Sequence, residues 1–187
     1  MASGSRNTGA LLLVGALLLI NPGRGEAAPA RKPGPATRLT FPGRPWSLVL
    51  DLPGFALKPQ EKTRDGIMIE GENARSHLVV SIFLEDAART GDAIACRKYY
   101  WKKVRKTPLT MDEVALFERD GMALVEYLIP EFQGLPVQQK NVNAYLSHDG
   151  VWIDIHLSKV LATRSDQALF DAVLRSVRIE GAGATRP

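Results

Sequence analysis

Residues 141–159, NVNAYLSHDGVWIDIHLSK, alternate between apolar and polar side chains on both sides of the Asp149-Gly150 pair. An Asp-Gly pair between two such runs is a strong signal for a β-hairpin with a two-residue turn. With that turn the aliphatic residues face each other in three pairs: Leu146 with Ile153, Ala144 with Ile155, and Val142 with Leu157. One face of the hairpin is then wholly aliphatic, which predicts a sheet packed against a core on that side.

The other face of the hairpin carries polar and aromatic side chains: Asn141, Asn143, Tyr145, Trp152, Asp154 and His156. Asp154 and His156 point the same way on one strand, roughly 7 Å apart, and could act as a general acid/base pair. No serine or cysteine has the sequence context of a catalytic nucleophile. The simpler interpretation is a partly solvated sheet face on which Tyr145 and Trp152 form a cross-strand pair. We assign no catalytic residue and take five residues as candidate binding residues: Asn143, Tyr145, Trp152, Asp154 and His156.

The same alternation recurs upstream, with further Asp-Gly pairs at Asp65-Gly66 and Asp120-Gly121. It predicts six earlier strands, over residues 46–50, 56–62, 67–70, 78–84, 114–119 and 122–129. Consecutive hairpins of this kind give an antiparallel meander. Strands 78–84 and 122–129 are apolar on both faces, as central strands covered on both sides are.

Two amphipathic helices are predicted to cover the sheet. The first follows Thr90 as its N-cap and turns one stripe of residues toward the sheet: Ala93, Cys96, Arg97, Tyr100, Trp101 and Val104. The second begins with a capping-box pattern over residues 163–166 and buries Leu169, Phe170, Val173, Leu174 and Val177. Residues 177–179 return as a short edge strand. The predicted fold class is therefore α+β, an antiparallel β-meander with two covering helices.

The first 27 residues have the pattern of a secretory signal peptide. Their apolar run, ALLLVGALLLI at 10–20, would form a helix of roughly 16 Å, about half the hydrocarbon thickness of a bilayer. We expect cleavage after Ala27 and export to the periplasm or the exterior. Residues 28–40 are predicted to be a flexible Pro-rich linker, 41–180 a single domain and 181–187 a disordered tail.

Composition removes several classes of function. Without the leader's Arg6, Arg24 and Glu26 the formal charge is +3, which is ordinary for a soluble protein. The single Cys96 excludes an intrachain disulfide. The three histidines have no partner at metal-ligand spacing, and a Gly-rich phosphate loop is missing from the sequence. We expect neither a metal nor a cofactor.

The densest charge lies in RKYYWKKVRK, residues 97–106. Its basic side chains could bind an acidic partner or anionic lipid headgroups, and they form a candidate basic patch: Arg97, Lys98, Lys102, Lys103, Arg105 and Lys106. The alternative is structural, because cations are favoured near a helix C-terminus and aromatic residues at helical spacing anchor a helix to its core. Nucleic acid is disfavoured as a partner, since few exported domains meet it.

The order of these elements resembles the PsbP-like fold. The resemblance spans Trp46 to Ile179, and it rests on the WSLVLDLPGF strand and turn, the meander, SHDGVWIDIHL and the closing DQALFDAVLRSVRI helix. It implies an α/β/α sandwich around an antiparallel sheet, and mostly accessory or binding roles without catalysis. The superfamily also includes small exported bacterial proteins and lipoproteins. This chain lacks the cysteine that would receive a lipid, and no functional residue maps onto it position by position.

Three hypotheses follow for the function. The first is an exported, non-catalytic accessory protein that binds an envelope protein or a small ligand, through the sheet face around Tyr145 and Trp152 or through the basic patch. The second is a small hydrolase or lyase that uses Asp154 and His156 as acid and base. The third is peripheral binding to an anionic membrane surface through residues 97–106, which would weaken with salt.

Overall fold

The computed structural model describes residues 36–63, 66–87 and 91–181. The predicted signal peptide, most of the predicted linker and the residues after Gly181 lie outside the described residues. Asp65 and Thr90 also lie outside them. The turn predicted at Asp65 is therefore not tested, whereas the N-cap of the first helix is Asp92 rather than the predicted Thr90.

Two α-helices and eleven strands make up the described part of the chain. The helices are α1 (Ala93–Val104) and α2 (Gln167–Arg175), the latter entered through a 3₁₀ turn at Arg164–Asp166. The strands are β1 (Thr37–Thr40), β2 (Trp46–Leu50), β3 (Phe55–Leu57), β4 (Glu61–Lys62), β5 (Gly66–Asn73), β6 (Leu78–Asp86), β7 (Asp112–Arg119), β8 (Met122–Phe132), β9 (Leu135–His148), β10 (Val151–Lys159) and β11 (Arg178–Gly181).

The main sheet is antiparallel and has the strand order β3-β5-β6-β10-β9-β8-β7, with β4 also paired to β5. Strands β7 to β10 form a continuous meander, and β10 pairs with β6 to join that meander to the β5–β6 hairpin. Helix α1 therefore carries the chain from β6, inside the sheet, to β7 at its edge. The α+β class with an antiparallel sheet and two helices is confirmed.

The predicted register of the β9–β10 hairpin is also confirmed. Leu146 pairs with Ile153, Ala144 with Ile155 and Val142 with Leu157. Asp149 and Gly150 have φ values of 48° and 72°, which is the backbone of a type I′ turn. A similar turn at Gln133-Gly134, with φ values of 52° and 80°, was not predicted. It joins β8 to β9, so β9 begins six residues before the predicted hairpin.

Three other strand predictions need correction. Residues 56–62 are not one strand, because Pro59 lies between β3 and β4 and cannot donate to a ladder. Thr37–Thr40, predicted as linker, form β1. The predicted edge strand 177–179 is β11, and it pairs with β2 rather than with the main sheet. Strands β1, β2 and β11 form a second, three-stranded sheet. All five residues of its central strand, β2, are buried.

The aliphatic face of the main sheet packs against this small sheet and α2. The core between them includes Trp46, Leu48, Leu50, Leu124, Leu146, Ile153, Ile155, Phe170 and Leu174. The predicted capping box of the second helix is present, with the Thr163 amide donating to the Asp166 carboxylate at 2.8 Å. Leu169, predicted as buried, is 36% exposed, since it lies outside the narrow face that Phe170, Val173 and Leu174 turn inward.

Helix α1 covers the opposite face of the main sheet. Its N-cap is Asp92, whose carboxylate accepts a hydrogen bond from the Ala95 amide at 2.8 Å. No helix in the described ranges is long and apolar enough to cross a membrane.

The cap gives a first prediction. Asp92→Ala is expected to lower the free energy of unfolding by about 1 kcal/mol, because one amide of the first turn loses its acceptor. Urea unfolding followed by circular dichroism measures the change. Asp92→Asn keeps an acceptor at this position and should stay within a few tenths of a kcal/mol of the wild type. Equal losses in both variants would contradict the capping role.

Candidate functional site

The candidate residues on the polar face of β9 and β10 lie largely beneath α1. Tyr145 is fully buried, and Asn143 and Trp152 are only 5% and 6% exposed. The carbonyl of Gly91, at the start of α1, accepts hydrogen bonds from Trp152 Nε1 at 3.1 Å and Ser147 Oγ at 2.8 Å. The expectation of a partly solvated face is therefore wrong for these three residues, because a helix covers them.

Tyr100 of α1 is the centre of the aromatic contacts on this face. Its ring stacks on Tyr145, with centroids 5.8 Å apart and planes 8° apart, and its centroid lies 6.3 Å from that of Trp152. Tyr145 lies opposite Asp154 and Trp152 lies opposite Ser147, so the two aromatic residues are diagonal neighbours on the ladder rather than directly opposite each other. Tyr100 contacts both rings.

The hydroxyl of Tyr100 donates to the carboxylate of Glu85 on β6. Burial, together with this carboxylate, holds the pKa of Tyr100 far above its usual range. Because Glu85 lies at the end of β6 and Tyr100 on α1, the sequence gives no signal that they meet. Glu85 is the main residue of this cluster that sequence reasoning missed.

Two further residues of α1 fix the helix on the sheet, as predicted. Cys96 is fully buried, and burial raises the pKa of its thiol well beyond the usual range. It is a packing residue, since thiols react as thiolates. Trp101 is 6% exposed, with its ring centroid 5.3 Å from that of Tyr127 on β8.

Asp154 and His156 are each held by an asparagine of β9 rather than by each other. The Asp154 carboxylate accepts a hydrogen bond from Asn143 Nδ2 at 3.2 Å. The His156 Nε2 lies 3.1 Å from Asn141 Oδ1, to which it can only donate. Both contacts run diagonally across the β9–β10 ladder with the same offset.

The pKa values of both groups are shifted in the direction that disfavours the charged form. Burial raises the pKa of Asp154 from 3.8 to about 7, against the opposing effect of the Asn143 hydrogen bond. Burial lowers the pKa of His156 from 6.5 to about 4. An ion pair would shift both values the other way. The two side chains therefore behave as separately held polar groups rather than as a charged acid/base pair.

Ser147 and Cys96, the candidate nucleophiles of this cluster, are both engaged. Ser147 Oγ donates a hydrogen bond to the Gly91 carbonyl, and Cys96 is buried in the packing between α1 and the sheet. The Tyr145 hydroxyl and the Asn143 carbonyl oxygen are buried without a hydrogen-bond partner among the described residues. This arrangement is that of a buried polar cluster that positions α1.

A cavity of about 380 Å³ lies on the other side of the main sheet. Core residues Met122, Leu146 and Leu174 line it together with Arg175, His148 and the Asp120-Gly121 turn, and none of the five candidate binding residues does. In the described ranges, no group of three or more His, Cys, Asp or Glu side chains is placed to hold a metal ion.

The basic patch divides into inward and outward side chains. Arg97 is turned toward the sheet, where it donates to the Phe117 carbonyl at 2.9 Å and pairs with Glu118 at 3.2 Å. Lys103 Nζ lies 3.9 Å from the centre of the Tyr99 ring, in cation–π contact. Arg97 is therefore not part of an exposed basic patch, because its guanidinium is bound to Phe117 and Glu118 of β7.

The remaining four cations are exposed: Lys98, Lys102, Arg105 and Lys106. None of them forms an ion pair with a described residue, in contrast to Arg97. We refer to these four residues as the basic surface.

Comparisons with known proteins support the fold only. No family model and no curated protein matches the sequence. Among solved structures, the chain is similar to the solution structure of cyanobacterial PsbP (CyanoP) from Synechocystis sp. PCC 6803. The two share 14% sequence identity with a TM-score of 0.51, over 83% of this chain and 98% of that one. The chain thus has a PsbP-like fold, as the order of elements predicts.

Proposed function

We propose that this chain of PsbP-like fold is an exported, non-catalytic binding protein that contacts an acidic partner protein of the cell envelope through the basic surface of α1. The observation that carries the proposal is the exposure of Lys98 and Lys102 on α1, and of Arg105 and Lys106 directly after it, without an acidic partner among the described residues. Unpaired cations at such density attract and orient an acidic surface.

The burial of the other candidate surface supports this choice. Tyr145 and Trp152 are covered by α1 and cannot reach a partner while the helix is in place. Asp154 and His156 are engaged with asparagines, which argues against the hydrolase or lyase hypothesis. The PsbP-like fold agrees with an accessory role, and the N-terminal sequence with export.

The experiment is a crosslinking pull-down from the envelope fraction of the producing cell, with tagged mature protein. A variant with glutamine at positions 98, 102, 105 and 106 should recover at least about fourfold less partner, because surface contacts of this kind contribute roughly 0.2–1 kcal/mol each. The matched control places glutamine at Lys62, Arg75, Arg164 and Arg175, which are exposed and form no ion pair with a described residue. It removes the same charge elsewhere and should recover the wild-type amount.

Equal recovery in both variants would contradict the proposal. The membrane alternative is tested with the same proteins on vesicles containing anionic lipid. Binding that is lost with the basic surface and fades with salt would replace the protein partner with a lipid surface.

Export has its own test. The intact mass of the protein purified from the producing cell is expected to correspond to a chain that begins at Ala28, because Gly25 and Ala27 satisfy the small-residue rule for cleavage. A mass that includes Met1 and the apolar run would contradict cleavage.

A further inference from the structure

We propose that β7 is a docking edge, to which an extended segment of the partner adds as a further strand, with acidic side chains beside the basic surface. This inference rests on the proposed function and specifies how the partner binds. It joins three features of the same region: a free sheet edge, exposed aliphatic residues on it and unpaired cations on the neighbouring helix.

Strand β7 ends the main sheet, and no described strand pairs with its outer side. Most of its residues are exposed. A bulge at Glu113, where φ is 52°, interrupts the pairing with β8 near the start of the strand. Residues 115–119 pair regularly with β8 and leave a regular outer edge, and such an edge is a template for pairing with another chain.

The turn that follows β7 fixes which main-chain groups face outward. Arg119 and Met122 flank the two-residue Asp120-Gly121 turn, so they form a hydrogen-bonded pair. Alternation along the ladder then directs the N–H and C=O groups of Glu118 and Leu116 away from β8. These groups are the ones that an added strand would use.

Two aliphatic side chains accompany this edge. Leu116 is 50% exposed and Val114 is 43% exposed. Leu116 lies opposite Val125, on the face of the sheet that α1 covers, and Val114 lies two residues earlier, next to the bulge. Both side chains are exposed, and they offer an apolar contact to a neighbouring strand.

The same flank of α1 carries the cations. Arg97 reaches the Phe117 carbonyl, so its flank of the helix is turned toward β7. At 100° per residue, Lys98 and Arg105 follow on the adjoining outer part of that flank. The acids Asp112 and Glu113 lie at the start of β7, before and at the bulge, and the carboxylate of Glu118 is paired with Arg97. A segment added along 115–119 thus meets the positive charge that remains along α1.

Charge also decides between a partner protein and a second copy of this chain. Two copies joined edge to edge through β7 would bring two basic surfaces to the same junction, and like charges there oppose association. An extended segment with acidic and apolar side chains meets no such opposition. We therefore commit to a segment of a partner protein.

The test uses 12-residue peptides selected by display from a random library on the mature protein, with affinities measured by fluorescence anisotropy. We expect selected peptides to be rich in acidic and apolar residues and to move the amide resonances of residues 114–119. Leu116→Pro should weaken binding at least tenfold, because proline removes the outward N–H while an edge position tolerates it. Leu116→Ala keeps the N–H and should weaken binding less than about threefold.

A second variant guards against a fold defect in Leu116→Pro. Leu116→Glu keeps every main-chain group and is expected to weaken binding of the acidic peptides, because it replaces the apolar contact with a like charge at the edge. Peptides that bind Leu116→Pro as well as wild type, or that map away from β7, would overturn the proposal. If Leu116→Pro still captures the envelope partner while the four-glutamine variant does not, docking by β7 fails and the proposed function stands.

Discussion

Replacing Trp101 by alanine is expected to lower the free energy of unfolding by about 3–5 kcal/mol, the range for removing a large buried aromatic side chain. Trp101 is 6% exposed and packs on Tyr127, so it fixes the last turn of α1 on β8. Urea unfolding followed by near-ultraviolet circular dichroism measures the loss. Amide hydrogen exchange along β9 should rise, since the helix that covers Tyr145 loosens.

The matched control is Tyr99→Ala on the same helix. Tyr99 is 39% exposed, and its contacts are with Lys103, Tyr100 and Trp152 at the edge of the cluster. The expected loss is about 1 kcal/mol, because little buried area is removed. Similar losses for the two variants would show that α1 is not held by its inner face.

The second large effect is a pH-dependent gain in stability from Asp154→Asn. Its pKa is about 7 in the folded protein against an ordinary value of 3.8, so the folded state binds the proton more tightly. The stability that the tighter proton binding of Asp154 contributes to the folded state is fully present below about pH 4. It is lost as pH rises through about 7. A shift of this size corresponds to at most about 4 kcal/mol, and partial solvent access reduces it to roughly 2 kcal/mol.

Asparagine cannot ionise, and its carbonyl oxygen can still accept the hydrogen bond from Asn143. Asp154→Asn should therefore match the wild type near pH 4 and exceed it at pH 8, as measured by urea unfolding across this range. His156→Gln is the control with the opposite sign. The pKa of His156 is lowered to about 4. The stability that the neutral imidazole contributes is therefore present above about pH 6.5 and is lost as pH falls through 4. A wild type more stable than Asp154→Asn at pH 8 would contradict a raised pKa for Asp154.

The parts of the fold that follow a local pattern could be predicted from sequence. The period of two and the Asp-Gly turn determine the β9–β10 register, because a slip of one residue would exchange the faces of the strand. The inward stripe of α1 follows from its spacing of three and four residues. The Gln133-Gly134 turn was missed because glutamine rarely adopts a positive φ, although the glycine beside it is a signal.

The candidate site was harder to predict because its character depends on distant residues. Polar side chains on a strand indicate a solvated face unless something covers them, and here Tyr100, from a different element, covers Tyr145. The basic segment presented the same difficulty. Its sequence does not distinguish Arg97, which pairs with Glu118 on β7, from Lys98, which faces outward. Only tertiary structure separates the structural cations from the available ones.

Lysine footprinting of the captured complex tests the central claim most directly. The mature protein is acetylated with and without its crosslinked partner, and the modification of each lysine is measured by mass spectrometry. The account predicts that Lys98, Lys102 and Lys106 lose reactivity in the complex while Lys62 keeps it. Unchanged reactivity at these three lysines, with protection elsewhere on the chain, would show that the partner binds a different surface.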